Sequence, residues 1–489
     1  MRNIARRDFQ KSISLGLASV ATHGWLSRTT AQAAEESANQ SLPNFIVILI
    51  DDMGYGDIEP FGSKVNRTPN LNRMAAEGMK LTSFYAAPLC TPTRAQIMTG
   101  CYAKRVCLPN VLVTASRNGI NSSEQTVADL LKTRGYATMC IGKWHLGDQP
   151  EFLPTRHGFD HYIGLPYSND MVEPCPLPLL RDEKVVEAPA DQEKLTALYT
   201  DEAVKFITAS KEKPFFLYLP HTAVHVPLNP GKDFQGKSAN GRYGDWVEEV
   251  DWSVGRVLDT LRELKLDSNT LVLFTSDNGP ALSKGKDGGV AGPLRGGKNT
   301  CWEGGVREPT IAWWPGKIKA GSTCDAMMSG IDVLPTLVKL AGGQPPKDRI
   351  IDGKDIWPLL SGETKESPHE MLFYFECEGQ LMAVRSGPWK LSMEHQGEEK
   401  KDDPKQATPK SFKPQLYNLA EDIGENNDVA AQHPDIVKRL QGYVQKMDRD
   451  LGVKVNSIGP GVRLWGIVEN PKPLIKKIDF YRCREHRQK

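Results

Sequence analysis

The chain has 489 residues, enough for one large α/β domain with an appendage or for roughly three domains of average size. Its 61 Lys+Arg balance 60 Asp+Glu, with 39% hydrophobic and 25% charged residues, the composition of an ordinary folded chain. That balance argues against a basic nucleic-acid binder and an acidic disordered chain, and no run reaches the roughly 18 apolar residues of a membrane span.

Residues 1–34 read MRNIARRDFQKSISLGLASVATHGWLSRTTAQAA: a basic start, a weakly apolar stretch from Ile13 to Leu26, then small residues. That order is a secretory signal, with cleavage expected after Ala33. Arg6 and Arg7, followed by Asp8, Phe9, Gln10 and Lys11, resemble a twin-arginine export signal, whose cargo crosses the bacterial inner membrane already folded. Use of that export machinery and a periplasmic or surface location are the resulting expectations. Removing the segment takes away Arg2, Arg6, Arg7, Lys11 and Arg28 against one acid, Asp8, and turns the slight positive balance negative.

From residue 44 to 280, short apolar runs alternate with helix-like segments, the pattern of a mostly parallel sheet covered by helices on both faces. FIVILI at 45–50 stops at Asp51 and Asp52, and YATMCIG at 136–142 runs into Lys143, Trp144 and His145. PFFLYLP at 214–220 leads to His221 and His225, and TLVLFTS at 270–276 ends at Asp277 and Asn278. One polar ending is an ordinary turn. Four together are expected to meet, because a parallel sheet brings its strands' carboxyl ends to one edge. Asp51, Asp52, Asp277 and Asn278 are hard oxygen donors suited to calcium or magnesium rather than zinc. Arg94, Lys143, His145, His225 and Lys298 carry the charge and protons needed to hold an oxyanion.

In LCTPTRAQIMTG at 89–100, Thr91 is expected to cap a helix that Pro92 begins and Ala95 to Met98 continue. Cys90 then sits at a helix N-terminus, where dipole and free N–H groups favour negative charge.

Cys90, Pro92 and Arg94, continuing to Thr99 and Gly100, match the signature Cys-X-Pro-X-Arg followed by Thr-Gly, and the segment resembles the formylglycine-dependent sulfatases of the alkaline phosphatase superfamily. The resemblance to the arylsulfatase A and N-acetylgalactosamine-6-sulfatase branch extends to TPNLNRMAAEGMKLTSFYAAPLC (68–90), GKWHLG (142–147), HGFDHYIGLPYS (157–168) and LRGGKNTCWEGGVREP (294–309). It continues through DVLPTLVKLAG (332–342) and QLYNLAEDIGENND (415–428). It implies conversion of Cys90 to formylglycine by dedicated machinery, with the hydrated aldehyde attacking sulfur and later expelling sulfate. It further implies one calcium ion on Asp51, Asp52, Asp277, Asn278 and the oxygen of modified Cys90. Arg94 would steady the hydrate, Lys143 and Lys298 the sulfate oxygens, His145 would assist sulfate release, and His225 would protonate the leaving oxygen. Ser168 corresponds to a serine near substrate that a histidine follows in the arylsulfatase A-like branch; here Asn169 follows. His221 reads as structural, Trp144, Trp302, Trp313 and Trp314 as core residues, with a pocket wall the alternative for Trp302, and Arg295 and Glu303 beside Lys298 as an ion-pair network.

Beyond about residue 365, MLFYFEC, LMAVRS and WKLSM suggest an antiparallel sheet, with a helix over 435–447 packed on it. The expected organisation is a signal at 1–33, an alkaline phosphatase-like α/β catalytic domain at 34–365 and a smaller α+β domain at 366–489. The charged stretch 395–413 reads as a solvated loop. Nine cysteines leave eight once Cys90 is converted, and folding in a reducing cytoplasm argues against assuming disulfides. The expected substrate is a sulfated glycan or small sulfate ester. The competing readings are phosphate or phosphonate ester hydrolysis, and glycan binding without catalysis.

Overall fold

The computed structural model describes residues 42–173, 175–396 and 412–475. The export signal, most of the charged 395–413 stretch and the basic end from 476 onward, with Cys483, lie outside the described residues.

Seventeen strands are numbered in chain order. Those of the central sheet are β1 (Asn44–Ile50), β2 (Met79–Tyr85), β4 (Ala137–Ile141), β5 (His161–Gly164), β6 (Leu179–Arg181), β7 (Lys184–Glu187), β8 (Phe215–Pro220), β9 (Thr270–Ser276), β10 (Arg307–Trp313), β11 (Ser322–Cys324) and β12 (Met328–Ser329). A two-stranded ribbon joins β3 (Asn118–Gly119) to β17 (Gly466–Ile467), and a smaller sheet contains β13 (Leu372–Phe375), β14 (Leu381–Ser386), β15 (Trp389–Ser392) and β16 (Gln415–Asn418).

The central order is β11-β2-β10-β9-β1-β8-β4-β5-β6-β7, with β12 paired to β2. The four runs read from sequence are the adjacent, mutually parallel strands β9, β1, β8 and β4. The remaining polarity is mixed: β10 is antiparallel to both neighbours, and β6 and β7 form an antiparallel edge.

All seven residues of β1 are buried, as expected for a strand covered on both faces. Ile46, Ile48 and Ile50 join one core with Tyr199, Ala203, Val250 and Val254 from the helices Leu195–Ala209 and Gly241–Glu263. Phe45, Val47 and Leu49 alternate onto the opposite face. The helix Cys90–Thr99 is itself buried along its whole length.

The smaller sheet is antiparallel throughout, in the order β13-β14-β15-β16, and the helix Pro434–Leu451 places Leu440, Val444 and Met447 against it. Its core is continuous with Tyr85, Tyr102, Val306 and Ile331. A buried ionic cluster fastens β15 to the loop beyond Lys298: Lys390 Nζ lies 2.9 Å from Glu303 Oε1, 2.9 Å from Glu425 Oε1, and donates to the Cys301 carbonyl at 2.7 Å. Glu303, expected to be structural, takes that part through Lys390 and Arg307; Arg295 instead stacks on Trp302 and donates to the Glu425 carbonyl. Trp144, Trp302, Trp313 and Trp314 are all buried. Among the described residues the cysteines are free thiols, and no helix is long and apolar enough to cross a membrane.

A cleft of about 550 Å³ lies away from the strand ends discussed below, lined by Arg67, Asp191, Phe234, Glu249 and Trp252 among others. Burial pushes Glu249 from 4.5 up to about 7, against a hydrogen bond donated by the Gly231 N–H at 2.8 Å. Because the folded value lies above the unfolded one, the destabilisation by the native carboxylate is full above about pH 7 and absent below about pH 4.5. Glu249→Gln keeps the acceptor and removes the charge. It should raise the thermal unfolding midpoint by roughly 2 °C at pH 8 and leave it nearly unchanged near pH 4.5.

Candidate active site

The parallel strands deliver their endings to one place. Asp51 and Asp52 follow β1, Lys143 and His145 follow β4, His225 lies beyond β8, and Asp277 and Asn278 follow β9. All seven are buried. Asp52 and His145 adopt φ of 61° and 59°, the left-handed region that non-glycine residues avoid, so strain is held where the side chains converge. Gly142, at φ 129°, precedes Lys143; a Cβ there would stand 1.9 Å from the Pro220 carbonyl oxygen, so only glycine lets β4 turn this close to β8.

The helix begins at Cys90 itself, two residues before the expected start at Pro92, with Leu89 rather than Thr91 at its N-cap. The reason is that the Thr91 hydroxyl is used elsewhere: it donates to the His145 carbonyl at 3.0 Å and accepts from the Leu112 N–H at 3.4 Å. Thr91 thereby fixes the His145 backbone beside Cys90. Cys90 Sγ lies 3.3 Å from His145 Nδ1, and His145 Nε2 lies 2.9 Å from the Leu112 carbonyl oxygen. A carbonyl only accepts, so Nε2 carries the proton and Nδ1 presents its lone pair to Cys90. Burial first, then the charges of Lys143 and Arg94, hold His145 well below its usual range and keep it neutral. Burial likewise pushes the Cys90 thiol up, overriding the nearby ammonium groups. The unconverted side chain is therefore a protonated thiol, a weak nucleophile despite its place at a helix N-terminus.

Arg94 Nη2 reaches Asp277 Oδ2 at 2.6 Å and Asp51 Oδ2 at 3.3 Å, and Nη1 donates to the Lys143 carbonyl. Lys143 Nζ bonds Asp51 Oδ2 at 2.5 Å and Ser168 Oγ at 3.2 Å. Lys298 Nζ bonds both oxygens of Asp52, at 2.6 and 2.9 Å. His225 Nε2 stands 3.7 Å from Asp52 Oδ2. Asn278 Nδ2 donates to Asp52 Oδ1 at 2.7 Å, so the acidic residues, Asn278, Arg94, Lys143, Ser168, His225 and Lys298 form one polar network, with the Cys90–His145 pair beside Lys143 and Lys298.

Among the His, Cys, Asp and Glu of the described residues, Asp51, Asp52 and His225 form a group whose ligating atoms lie within 4.8 Å of one another. Asp277 instead spends one oxygen on Arg94 and accepts the Asp52 N–H with the other, at 3.3 Å. His221 is not part of the constellation; its Nε2 meets Ser253 Oγ at 3.2 Å, and burial lowers it to about 4.

The residues fit a hard cation. Asp51 Oδ1 and Asn278 Oδ1 are buried oxygens with no hydrogen-bond partner, a costly arrangement that coordination relieves. Burial opposes ionisation of Asp51, yet Lys143, His225, Arg94 and Lys298 together hold it well below the usual carboxylate range. Burial and the Asp51 charge push Asp277 up to about 6, the repulsion expected of crowded carboxylates. No thiolate faces these oxygens, which favours calcium or magnesium over zinc.

The sequence reading did not anticipate what holds His225. Asn169, noted only as a departure, places Oδ1 3.0 Å from His225 Nδ1, and Gln192 meets Asn169 from the other side at 3.1 Å. The neighbouring Ser168 marked Asn169 as close to the site. Nothing in the sequence around Gln192 marked it.

Comparison with known proteins agrees with this geometry. The sulfatase family model matches residues 43–343, and that of the C-terminal region of aryl-sulfatase matches 367–471. The N-acetylgalactosamine-6-sulfatase of Rattus norvegicus is 43% identical over 383 residues, covering 72% of this chain and 71% of its own. Human arylsulfatase A is 39% identical over 441 residues, covering 82% and 86%. The crystal structure of a Pseudoalteromonas sp. sulfatase superposes with a TM-score of 0.77 at 28% identity, over 87% of this chain and 94% of that one. The family match over residues 43–343 and relatives at 43% and 39% identity, on a large mostly parallel sheet, place this chain in the sulfatase family, the sulfuric ester hydrolases.

Proposed function

We propose that the chain releases sulfate from a sulfated carbohydrate by a calcium-dependent reaction in which Cys90, converted to formylglycine, supplies the nucleophile. The observation carrying the reading is Cys90 Sγ at 3.3 Å from a neutral His145, inside the constellation that contains Lys143 and Lys298. Converted, residue 90 supplies one hydroxyl to attack sulfur and a second whose deprotonation expels sulfate. His145 takes that proton at Nδ1, the nitrogen left free by the Leu112 carbonyl. Lys143 and Lys298 present ammonium groups to the sulfate oxygens, with Ser168 steering Lys143 from 3.2 Å. His225 gives a proton from Nε2 to the oxygen of the departing alcohol. Asp51, Asp52, Asp277 and Asn278 would hold the ion with the oxygen of residue 90, and calcium there supplies Lewis-acid charge beside the sulfuryl group. Arg94 offsets the excess carboxylate charge and fixes Asp51 and Asp277 in place.

The names of the relatives point to sulfated amino sugars and aryl sulfates as substrate classes. The N-terminal signal would send the folded enzyme through the twin-arginine machinery to the periplasm or cell surface, with a separate system converting Cys90. A panel of defined sulfated mono- and oligosaccharides, read by released sulfate, tests the reading. At least one should be turned over, and an aryl sulfate should exceed the matched aryl phosphate in kcat/KM by about 100-fold or more. Preference for the phosphate ester would overturn it.

A further inference from the structure

We propose that Asn169, braced by Gln192, is a positioning residue that fixes the tautomer and ring plane of His225, so that Nε2 is the nitrogen exchanging protons with the departing alcohol. The proposal rests on the reading of His225 as the acid that protonates the leaving oxygen.

His225 Nδ1 lies 3.0 Å from Asn169 Oδ1 and 2.6 Å from the Val226 carbonyl oxygen. The orientation of the Asn169 amide follows from its surroundings. Its Nδ2 faces three oxygens, Gln192 Oε1 at 3.1 Å, the His225 carbonyl at 3.3 Å and the Pro227 carbonyl at 3.3 Å. An amide oxygen in that place would meet only acceptors, whereas the two N–H groups donate there, so the oxygen end is the one turned to His225. Gln192 holds the amide from behind: its Nε2 donates to the Asn169 carbonyl at 3.2 Å, and its Oε1 also accepts from Asn229 Nδ2 at 2.9 Å. Asn169 is fully buried and His225 is 7% exposed, so water is a poor substitute for these partners.

With two acceptors on it, Nδ1 keeps its hydrogen in both protonation states. The exchanging proton is therefore confined to Nε2, which lies 3.7 Å from Asp52 Oδ2. When the sulfur–oxygen bond to the leaving group breaks, the imidazolium passes its Nε2 proton to that oxygen. It returns to the neutral Nδ1–H form without reorienting and is recharged from solvent.

The test is the dependence of kcat/KM on leaving-group acidity, over aryl sulfates of graded phenol pKa, in the full-length converted enzyme. A general acid matters most for poor leaving groups, so its loss steepens the dependence, whereas a merely structural defect lowers all rates alike. His225→Gln should lose about 100-fold or more on the least acidic phenol and steepen the slope. Asn169→Ala should steepen it in the same direction, losing about 30-fold on the least acidic phenol and under about threefold on the most acidic. Should Asn169→Ala not fold, Gln192→Met, which removes the brace and fills its space, is read the same way. A steeper slope in His225→Gln with an unchanged slope in Asn169→Ala, or in Gln192→Met in its place, overturns the proposal alone. An unchanged slope in His225→Gln overturns the acid role of His225 and the proposal with it.

Discussion

Cys90→Ala should lower kcat/KM for an aryl sulfate by at least about 10⁴-fold while the protein remains folded. In the proposed reaction the residue supplies the nucleophile, so its loss removes the attacking group itself. Cys90 Sγ contacts His145 Nδ1, and the helix it begins presents its N-terminus to the same space. The fold should survive because the exchange removes one small buried group beside His145, a cavity costing about 1 kcal/mol. Sulfate release, together with near-ultraviolet circular dichroism, checks both halves. A folded variant retaining a tenth of the wild-type rate would remove Cys90 from the chemistry.

The second large effect concerns the cation. Asp51, Asp52 and Asp277 are buried together, and the partnerless oxygens Asp51 Oδ1 and Asn278 Oδ1 lie among them. Adding calcium to protein stripped by chelation should therefore raise its unfolding midpoint, by an amount corresponding to about 2.7 kcal/mol at one hundred times the dissociation constant. The same addition should restore sulfate release that chelation had lowered by about 100-fold or more. Asp51→Asn should abolish both responses. It removes the carboxylate that Lys143 and Arg94 hold ionised, leaving Lys143 without its carboxylate partner while Arg94 keeps Asp277. A midpoint indifferent to calcium in the wild-type protein would show that the acidic cluster is stabilised by its lysine and arginine neighbours alone.

The site was legible in the sequence to the extent that it sits on the strands. Short apolar runs ending in Asp51, Lys143, His225 and Asp277 are informative because parallel strands share a carboxyl edge, and β9, β1, β8 and β4 are neighbours. Local hydrogen-bond competition was less legible. Thr91 has the chemistry of a helix cap, but its hydroxyl meets the His145 carbonyl, a contact across 54 residues that the local sequence does not encode. Gln192 lies 23 residues from Asn169 and 33 from His225, and it reaches their neighbourhood only after β8 and the helix Leu195–Ala209 are folded.

The edges of the sheets carried weaker signals than their centre. β6 and β7 are three and four residues long and partly exposed, too short for an alternating pattern to stand out. β16 is only four residues, QLYN, followed at once by a polar turn, so its strand character does not stand out in the sequence. The cluster of Lys390, Glu303 and Glu425 joins residues far apart in the chain through charges that sequence alone would assign to the surface.

The most direct measurement pairs two readings on one preparation: the fraction of residue 90 present as aldehyde, from peptide mass, and the rate of sulfate release from a sulfated sugar or aryl sulfate. Across preparations with different degrees of conversion, the account predicts a rate proportional to the aldehyde fraction and vanishing with it. Equal turnover by protein whose Cys90 is an intact thiol would contradict it.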